Sequence, residues 1–255
     1  MSDGSLYCGL ERIWLSGTAG VEIDGPALIQ EIADQIAENY GRLNSIGCAG
    51  SSATNWRWFA NAEYDRARNT SAETIVEREI IRLTQGLGTW ANQIPTNSNM
   101  CEGNNSPGHI DLGHRCTDRS FELIELKVAS NDPYEAALQI IRYGLTYALF
   151  RRIPALTRSN HQTTRKLFEA TAIHLRVLAP ARYYYQFGKL ATLESAVSEG
   201  LDYLLEGERW KMDFAYLQFP EWFWPANKIE SELLERALVG RAPLHHLTAS
   251  AATTD

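Results

Sequence analysis

The sequence has no long apolar run. Its 255 residues contain nothing approaching the roughly eighteen consecutive apolar side chains that identify a membrane-spanning helix. The opening residues, MSDGSLYCGLERIW, also lack the basic segment and apolar core of a secretory signal. These absences predict a protein that has no membrane partner and that is located in the cytoplasm.

Cysteine is scarce, and the four cysteines lie far apart in the chain. They predict no disulfide framework, and a reducing compartment is the expected environment. Alternatively, two cysteines and two histidines could bind zinc: Cys101, His109, His114 and Cys116. Their spacing matches no standard zinc module, and no HxH or HExxH motif argues for a histidine-ligated metallohydrolase.

Residues 109–128 carry a concentrated polar pattern, HIDLGHRCTDRSFELIELKV. Two runs of alternating apolar residues flank a polar turn at residues 116–120, which predicts a β-hairpin. Because strand side chains alternate between faces, Glu125 and Lys127 share one face, and Asp111 lies opposite its apolar neighbours. The hairpin can therefore hold two carboxylates and one ammonium close together, which suits a divalent cation and an activated water.

A helix is predicted directly after the hairpin, at residues 132–150. Asp132 provides the N-cap, Pro133 the first helical position and Glu135 the acidic residue three positions after the cap. Gln139 and Tyr143 lie four residues apart and well away from the apolar stripe of this helix. They are either functional side chains or a solvated glutamine and a half-buried tyrosine.

A second helix is predicted before the hairpin, opening with a capping box at residues 70–73, TSAE. Its acidic residues Glu73, Glu77 and Glu79 are candidates for a third carboxylate beside the hairpin. Glu73 is expected to reach back to its own N-cap, whereas Glu77 lies next to the apolar stripe and is favoured. The alternative for this Glu-Arg-Glu run is a solvated charged surface.

The Asp111-x13-Glu125-x-Lys127 spacing, followed by a Gln-x3-Tyr helix, resembles the PD-(D/E)XK nuclease superfamily and its RecB-type branch. Ile110 stands where the superfamily's name has proline. The resemblance implies an α/β fold with a restriction-endonuclease-like αβββαβ core, in which helices flank a mixed central sheet and extensions are added at both termini.

The resemblance also implies a metal site for one or two Mg²⁺ or Mn²⁺ ions. The ligands would be three carboxylates and one backbone carbonyl: Asp111, Glu125, Glu77 and Leu126. Lys127 would orient the attacking water and stabilise charge on the phosphate. Gln139 would support that water or Lys127.

The net charge of −7 argues against indiscriminate binding to duplex nucleic acid. The charge is uneven, however, because residues 136–168 contain no acidic residue and six basic ones. A basic segment beside an acidic metal site is what a phosphodiester substrate requires, and an ordinary basic surface loop is the alternative. The expected nucleic-acid contacts are Tyr143, Arg142, Arg151, Arg152 and Arg158.

One domain in three parts is predicted. Residues 1–69 form an N-terminal helical extension packed on the core, residues 70–225 form the nuclease-like core, and residues 226–255 form a C-terminal helix and a disordered tail. Strands are expected at residues 89–95, in the hairpin, and at residues 172–178 and 211–219. Further helices are expected at residues 26–40, 191–205 and 229–239.

The function implied by the resemblance is phosphodiester hydrolysis by a Mg²⁺-dependent deoxyribonuclease. DNA is favoured over RNA as the substrate, and the protein could act as a homodimer. Endonuclease and exonuclease activity remain equal alternatives. A catalytically inactive protein of the same fold, acting as a binding or assembly subunit, is the competing hypothesis, and the net acidity and seven tryptophans suit it. The retained acid–lysine set argues against that hypothesis.

Overall fold

The computed structural model describes residues 5–48, 54–63, 71–98, 100, 108–128, 132–153, 156–157, 162–223 and 230–244. Within these ranges the chain forms an α/β fold with seven α-helices and an open, six-stranded mixed sheet. The helices are α1 Leu10–Thr18, α2 Gly25–Ser45, α3 Ala72–Thr84, α4 Pro133–Arg152, α5 Gln162–Phe168, α6 Leu190–Leu204 and α7 Ser231–Val239. The strands are β1 Trp90–Pro95, β2 His109–Thr117, β3 Ser120–Leu126, β4 Ala172–Pro180, β5 Lys211–Phe219 and β6 Ala242–Pro243.

The strands lie in the sheet in their sequence order. β1, β2 and β3 form an antiparallel meander, β3, β4 and β5 are parallel neighbours, and β6 pairs antiparallel with β5. The two parallel connections run through helices, as such connections require: α4 and α5 join β3 to β4, and α6 joins β4 to β5. The carboxyl ends of β3, β4 and β5 therefore meet at one end of the sheet.

Helices cover both faces of the sheet. Phe121 and Leu123 of β3 point into a first core shared with α1, α2, α4 and α6. Ile124 and Leu126 point into a second core shared with α3 and α7. This alternation gives a three-layer arrangement in which the central strands are buried on both sides.

Aspartate caps begin the two longest helices. The Asp24 side chain accepts a hydrogen bond from the backbone N–H of Ala27 at 3.0 Å, and a proline follows directly at the start of α2. Asp132 accepts from the N–H of Glu135 at 2.7 Å in the same way at the start of α4. These bonds satisfy donors that a helix end leaves free, so both starting points follow from local sequence.

α2 and α6 cross with their backbones in contact at two glycines. A Cβ atom on Gly25 would overlap the carbonyl group of Ala196, and one on Gly200 would overlap the carbonyl group of Gly25. Any side chain at either position would push the two helices apart. Glycine is therefore required here for close approach.

The N-terminal helices complete the first core. Leu10 and Trp14 of α1 and Ile32 of α2 are buried in the same apolar cluster as Ile141 and Tyr147 of α4. Among the helices described, none combines the length and apolar character that crossing a membrane would need.

The sequence-predicted strands and helices are present, and two differences stand out. Helices α1 and α5 and the two-residue strand β6 were not predicted. The structure places the N-cap of α3 at Ser71, one residue later than predicted, and Thr70, the predicted cap, lies outside the described residues. The predicted disordered tail lies outside the described residues.

Candidate functional site

The hairpin places the two predicted acidic side chains across from each other. The pair Leu112↔Ile124 sets the register of β2 and β3, so one step further Asp111 lies opposite Glu125. The two carboxyl groups lie within hydrogen-bonding reach of each other. The backbone N–H of Leu126 donates to Oδ2 of Asp111 at 2.9 Å, which fixes the aspartate against β3.

The predicted ligand Leu126 also has its carbonyl directed toward this acid pair. In a strand, the N–H and C=O of one residue point to the same neighbouring strand. The N–H of Leu126 bonds to Asp111 on β2, whereas the N–H of Lys127 bonds to the carbonyl of Leu178 on β4 at 2.9 Å. The carbonyl of Leu126 therefore faces β2 and the carboxylates.

Lys127 and Glu125 form a buried ion pair. Glu125 is fully buried and Lys127 is 6% exposed, and Nζ of Lys127 donates to Oε1 of Glu125 at 2.5 Å. The other glutamate oxygen, Oε2, is buried and has no hydrogen-bond partner in the part of the chain that the structure describes. A buried acceptor without a donor is costly, so this oxygen favours a bound proton or cation.

Burial and the neighbouring charges shift the pKa values of Asp111, Glu125 and Lys127. Burial raises the pKa of Asp111, and burial together with the Asp111 carboxylate raises the pKa of Glu125 well above its ordinary value. Burial alone would lower the pKa of Lys127, but the carboxylates of Glu125 and Asp111 outweigh it and raise that pKa. One ammonium thus faces two carboxyls, which is an electrostatic setting that attracts a further cation.

Glu77, the predicted third carboxylate, is held by two amides and does not form a three-ligand cluster with Asp111 and Glu125 in the described structure. It is 4% exposed and accepts from Nδ2 of Asn92 at 2.6 Å and from Nε2 of Gln93 at 2.7 Å. Gln93 lies across from Asp111 on β1 and has a positive φ of 48°. Burial raises the pKa of Glu77, and the charge of Asp111 adds to the shift, so the two carboxyls interact. Both oxygens of Glu77 already have donors.

The other two acids of α3 have different positions. Oε1 of Glu73 accepts a hydrogen bond from the backbone N–H of Val128, directly after Lys127, at 3.1 Å. Its charge also acts on Asp111 and Lys127, so Glu73 lies with Asp111, Glu125 and Lys127 at the carboxyl end of β3, which we call the acidic end of the sheet. Glu79 instead pairs with Arg82 within the helix at 2.7 Å.

Arg142 and Tyr143 of α4 form a largely buried group near the acid pair. The Arg142 guanidinium lies 4.8 Å from the ring centre of Tyr7 and 5.1 Å from that of Tyr143, and Nη2 donates to the Tyr143 hydroxyl at 3.2 Å. The charge of Glu125 acts on both side chains. Gln139 hydrogen-bonds the Tyr143 hydroxyl, and this bond opposes the burial that raises the pKa of Tyr143.

A groove connects this group with the surface. It has a volume of about 260 Å³ and is lined by Trp14 of α1 and by Gln139 and Arg142 of α4, with Glu11 and Glu135 also on its wall. Within the described residues, Nε of Arg142 and Nε1 of Trp14 are buried and have no hydrogen-bond partners. The groove therefore borders Arg142, a side chain on which the charge of Glu125 acts.

The structure does not bring Arg151 and Arg152 to the acid pair. Arg152 lies thirteen residues beyond Gln139 on α4, which is about 20 Å along the axis. Arg151 stacks on Trp210 at 4.4 Å and donates to a backbone carbonyl, and Arg152 pairs with Glu208 at 3.5 Å. Arg158, the remaining predicted contact, lies outside the described residues.

Sequence reasoning missed Tyr183. It ends a single 3₁₀ turn, Ala181–Tyr183, that follows β4 directly. Its hydroxyl is buried and has no partner among the described residues, and the charges acting on it include those of Asp132, Glu73 and Glu125. The available signal was topological: a residue just past the carboxyl end of a parallel strand often faces a site there.

A second cluster that could hold a metal lies on the opposite face of the hairpin. His114, Cys116 and Glu122 can each bring one ligand atom within 4.8 Å of the others. However, Oε2 of Glu122 already accepts from Nδ1 of His114 at 2.9 Å and from Nη2 of Arg241 at 2.6 Å. The guanidinium supplies the positive charge that a metal would bring. Cys101, part of the alternative zinc set, lies outside the described residues.

The chain was compared with models of known protein families, with curated proteins and with solved structures, and none of the three comparisons gave a match.

Proposed function

We propose that this protein is a metal-dependent nuclease of the PD-(D/E)XK type, with Asp111, Glu125 and Lys127 as its active site. The observation that carries the proposal is the buried carboxyl pair, in which Lys127 is bonded to one oxygen of Glu125 and the other oxygen has no partner among the described residues. The element order α3, β1, β2, β3, α4, β4 also supports a restriction-endonuclease-like αβββαβ core, with α5 added before its last strand.

The donor set fits magnesium or manganese. The available ligand atoms are carboxylate oxygens of Asp111 and Glu125 and the carbonyl oxygen of Leu126, and hard divalent cations prefer such oxygen ligands. When bound there, such an ion would polarise a phosphate and make water more acidic. Glu73 and Glu77 would add negative charge around the ligands, because both interact electrostatically with Asp111.

Lys127 would contribute a fixed positive charge to phosphodiester hydrolysis. The carboxylates of Glu125 and Asp111 raise the pKa of Lys127, so the amine stays protonated at neutral pH. Its burial keeps water from screening the charge, which strengthens its effect on a phosphate that gains negative charge in the transition state. The hydrogen bond to Glu125 holds the amine in position for that role.

Arg142, Tyr143 and Gln139 would position the nucleic acid beside the carboxylates. Each member of the Tyr7–Arg142–Tyr143 group contacts the other two, which makes the group rigid. An arginine held in this way can meet a phosphate without losing much side-chain freedom. We propose DNA rather than RNA as the substrate, and the cleavage assay described next compares the two.

The test is cleavage of single- and double-stranded DNA and of RNA by the purified protein with Mg²⁺ or Mn²⁺. We expect wild type to degrade DNA and Lys127→Ala to lose at least about 100-fold in rate. Lys127→Met, which keeps most of the side-chain volume, should lose as much.

Lys211→Ala is the matched control, because Lys211 is an exposed lysine at the start of β5 and should retain full activity. Circular dichroism and thermal melting check that each variant is folded. If wild type and both Lys127 variants behave alike on every nucleic acid, the nuclease proposal is wrong, and metal binding without cleavage would favour a binding or assembly subunit.

A further inference from the structure

Tyr183 is fixed at the acidic end of the sheet by its neighbours. β3 and β4 are parallel and pair Glu125 with Val177, so the 3₁₀ turn after β4 lies next to the end of the strand that carries the glutamate. The Tyr183 ring packs edge-to-face on Tyr184 at 5.1 Å. Tyr184 is itself anchored, because its hydroxyl bonds to the carbonyls of Val177 and Leu217 at 3.0 and 2.9 Å.

Tyr183 differs from the other tyrosines at this end of the sheet. Tyr134 donates to the carbonyl of Gly188 at 2.8 Å, and Tyr216 donates to the carbonyl of Pro133 at 3.1 Å. The Tyr183 hydroxyl is buried but has no partner among the described residues. A buried hydroxyl without a partner is destabilising, so a purely structural role would favour phenylalanine at this position.

After burial, the largest effects that raise the pKa of the Tyr183 hydroxyl come from four acidic groups. They are Asp132, Glu73, Glu125 and Glu135. The same region contains Oε2 of Glu125, a buried acceptor that lacks a donor within the described chain. The Tyr183 hydroxyl and Oε2 of Glu125 both lack partners within the described chain and do not bond to each other. A ligand that fits both would accept a hydrogen bond from Tyr183 and present positive charge to Glu125.

We infer that Tyr183 donates a hydrogen bond to an oxygen atom held with a divalent cation beside Asp111 and Glu125: a water oxygen before substrate binds and a phosphate oxygen afterwards. This inference rests on the proposed metal-dependent nuclease activity and adds a further residue to its site. The ring contact with Tyr184 makes the donor rigid, so the hydroxyl loses little freedom when it bonds to the ligand.

The experiment compares Tyr183→Phe with Tyr185→Phe. Tyr185 is an exposed neighbour whose hydroxyl bonds to Glu221, so its substitution makes the same chemical change away from Asp111 and Glu125. Mn²⁺ affinity is measured by calorimetry without nucleic acid, thermal stability is measured without metal, and DNA cleavage gives kcat and KM. For Tyr183→Phe we expect about tenfold weaker Mn²⁺ binding, a kcat lower by about 10–100-fold and no loss of melting temperature.

The outcomes separate this inference from the nuclease proposal. Unchanged Mn²⁺ affinity and kcat in Tyr183→Phe would overturn the role of Tyr183, while loss of activity in Lys127→Ala would still support the nuclease. A lower melting temperature in Tyr183→Phe would also count against it, because it would reveal a structural bond. If wild type cleaves nothing but Tyr183→Phe still weakens Mn²⁺ binding, the nuclease proposal fails and Tyr183 keeps its role toward the ion.

Discussion

β3 presents one glutamate to each face of the sheet, and the two glutamates have opposite surroundings. Glu122 is bonded through one oxygen to both His114 and Arg241, whose positive charge balances it. Glu125 has one partner, Lys127, and faces a second acid, Asp111, while one of its oxygens lacks a partner in the described part of the chain. The negative charge of Glu122 is therefore balanced by its neighbours, whereas the carboxyl groups of Glu125 and Asp111 need a further cation to balance their charge.

The pKa values of the two glutamates are also shifted in opposite directions. Burial would raise the pKa of Glu122, but the hydrogen bond from His114 and the charge of Arg241 outweigh it and lower that pKa. For Glu125, burial and the neighbouring Asp111 carboxyl raise the pKa well above its ordinary value. Within one strand, therefore, the fold stabilises one carboxylate as a charged group and destabilises the other, and such destabilised groups concentrate at functional sites.

The largest expected effect is loss of cation binding on removal of one facing carboxylate. Asp111→Asn keeps an acceptor for the N–H of Leu126 but removes the charge, so Mn²⁺ affinity should fall about 100-fold or more in calorimetry. The metal-free variant should also gain stability, on the order of 1 kcal/mol, because the repulsion with Glu125 disappears.

Asp118→Asn is the control for this experiment. Asp118 lies in the exposed turn of the same hairpin and pairs with Lys166, so its loss should leave Mn²⁺ affinity unchanged. Equal isotherms for wild type and Asp111→Asn would show that the carboxyl pair is not a metal site, and the contrast between the two faces would then lose its functional meaning.

A smaller effect is expected on stability from the opposite face. Glu122→Gln should lower the free energy of unfolding by about 2 kcal/mol at neutral pH, because it leaves Arg241 and His114 without a charged partner. Since the folded pKa of Glu122 is lowered, this contribution is complete above the unfolded value of about 4.3 and is lost as pH falls through the folded pKa.

Urea unfolding from neutral pH down to strongly acidic pH measures this difference. Wild type and Glu122→Gln should converge at the acidic end, whereas Glu125→Gln should be at least as stable as wild type at neutral pH, because its amide can donate to Asp111. A Glu125→Gln variant that is as unstable as Glu122→Gln would mean that both faces hold structural ion pairs.

The smallest effect is expected at the far end of α4. Arg152→Ala should change the rate of DNA cleavage by less than about twofold and stability by less than about 0.5 kcal/mol, because its pairing with Glu208 is exposed and remote from the acids. A loss of tenfold or more in cleavage, measured beside wild type at the same salt concentration, would show that nucleic acid extends along the whole helix.

Local signals in the sequence were sufficient for most elements. The hairpin follows from alternation on both sides of a polar turn, and the starts of α2 and α4 follow from their aspartate caps and prolines. Helix α1 lacks such a signal, because its N-cap is Gly9 and no side chain caps it. Helix α5 is a seven-residue polar segment, QTTRKLF, without an apolar period.

Side-chain environments in the site depend on contacts that are distant in sequence. Tyr143 lies away from the apolar stripe predicted for α4, yet it is buried, because Tyr7 packs edge-to-face on it at 5.9 Å. Whether Glu73 or Glu77 reaches the end of β3 depends on how α3 lies across the sheet. That orientation follows from apolar packing in the second core, which the spacing of acids along one helix does not encode.

The contact between Gly25 and Gly200 bears on protein engineering. Because it joins the second helix to the sixth, backbone to backbone, deleting the first 69 residues to isolate a minimal enzyme would expose the apolar sides of α4 and α6 to water. Such a shortened chain should aggregate, however intact its carboxylates. Useful deletions should therefore be sought in segments that contribute no side chain to either core.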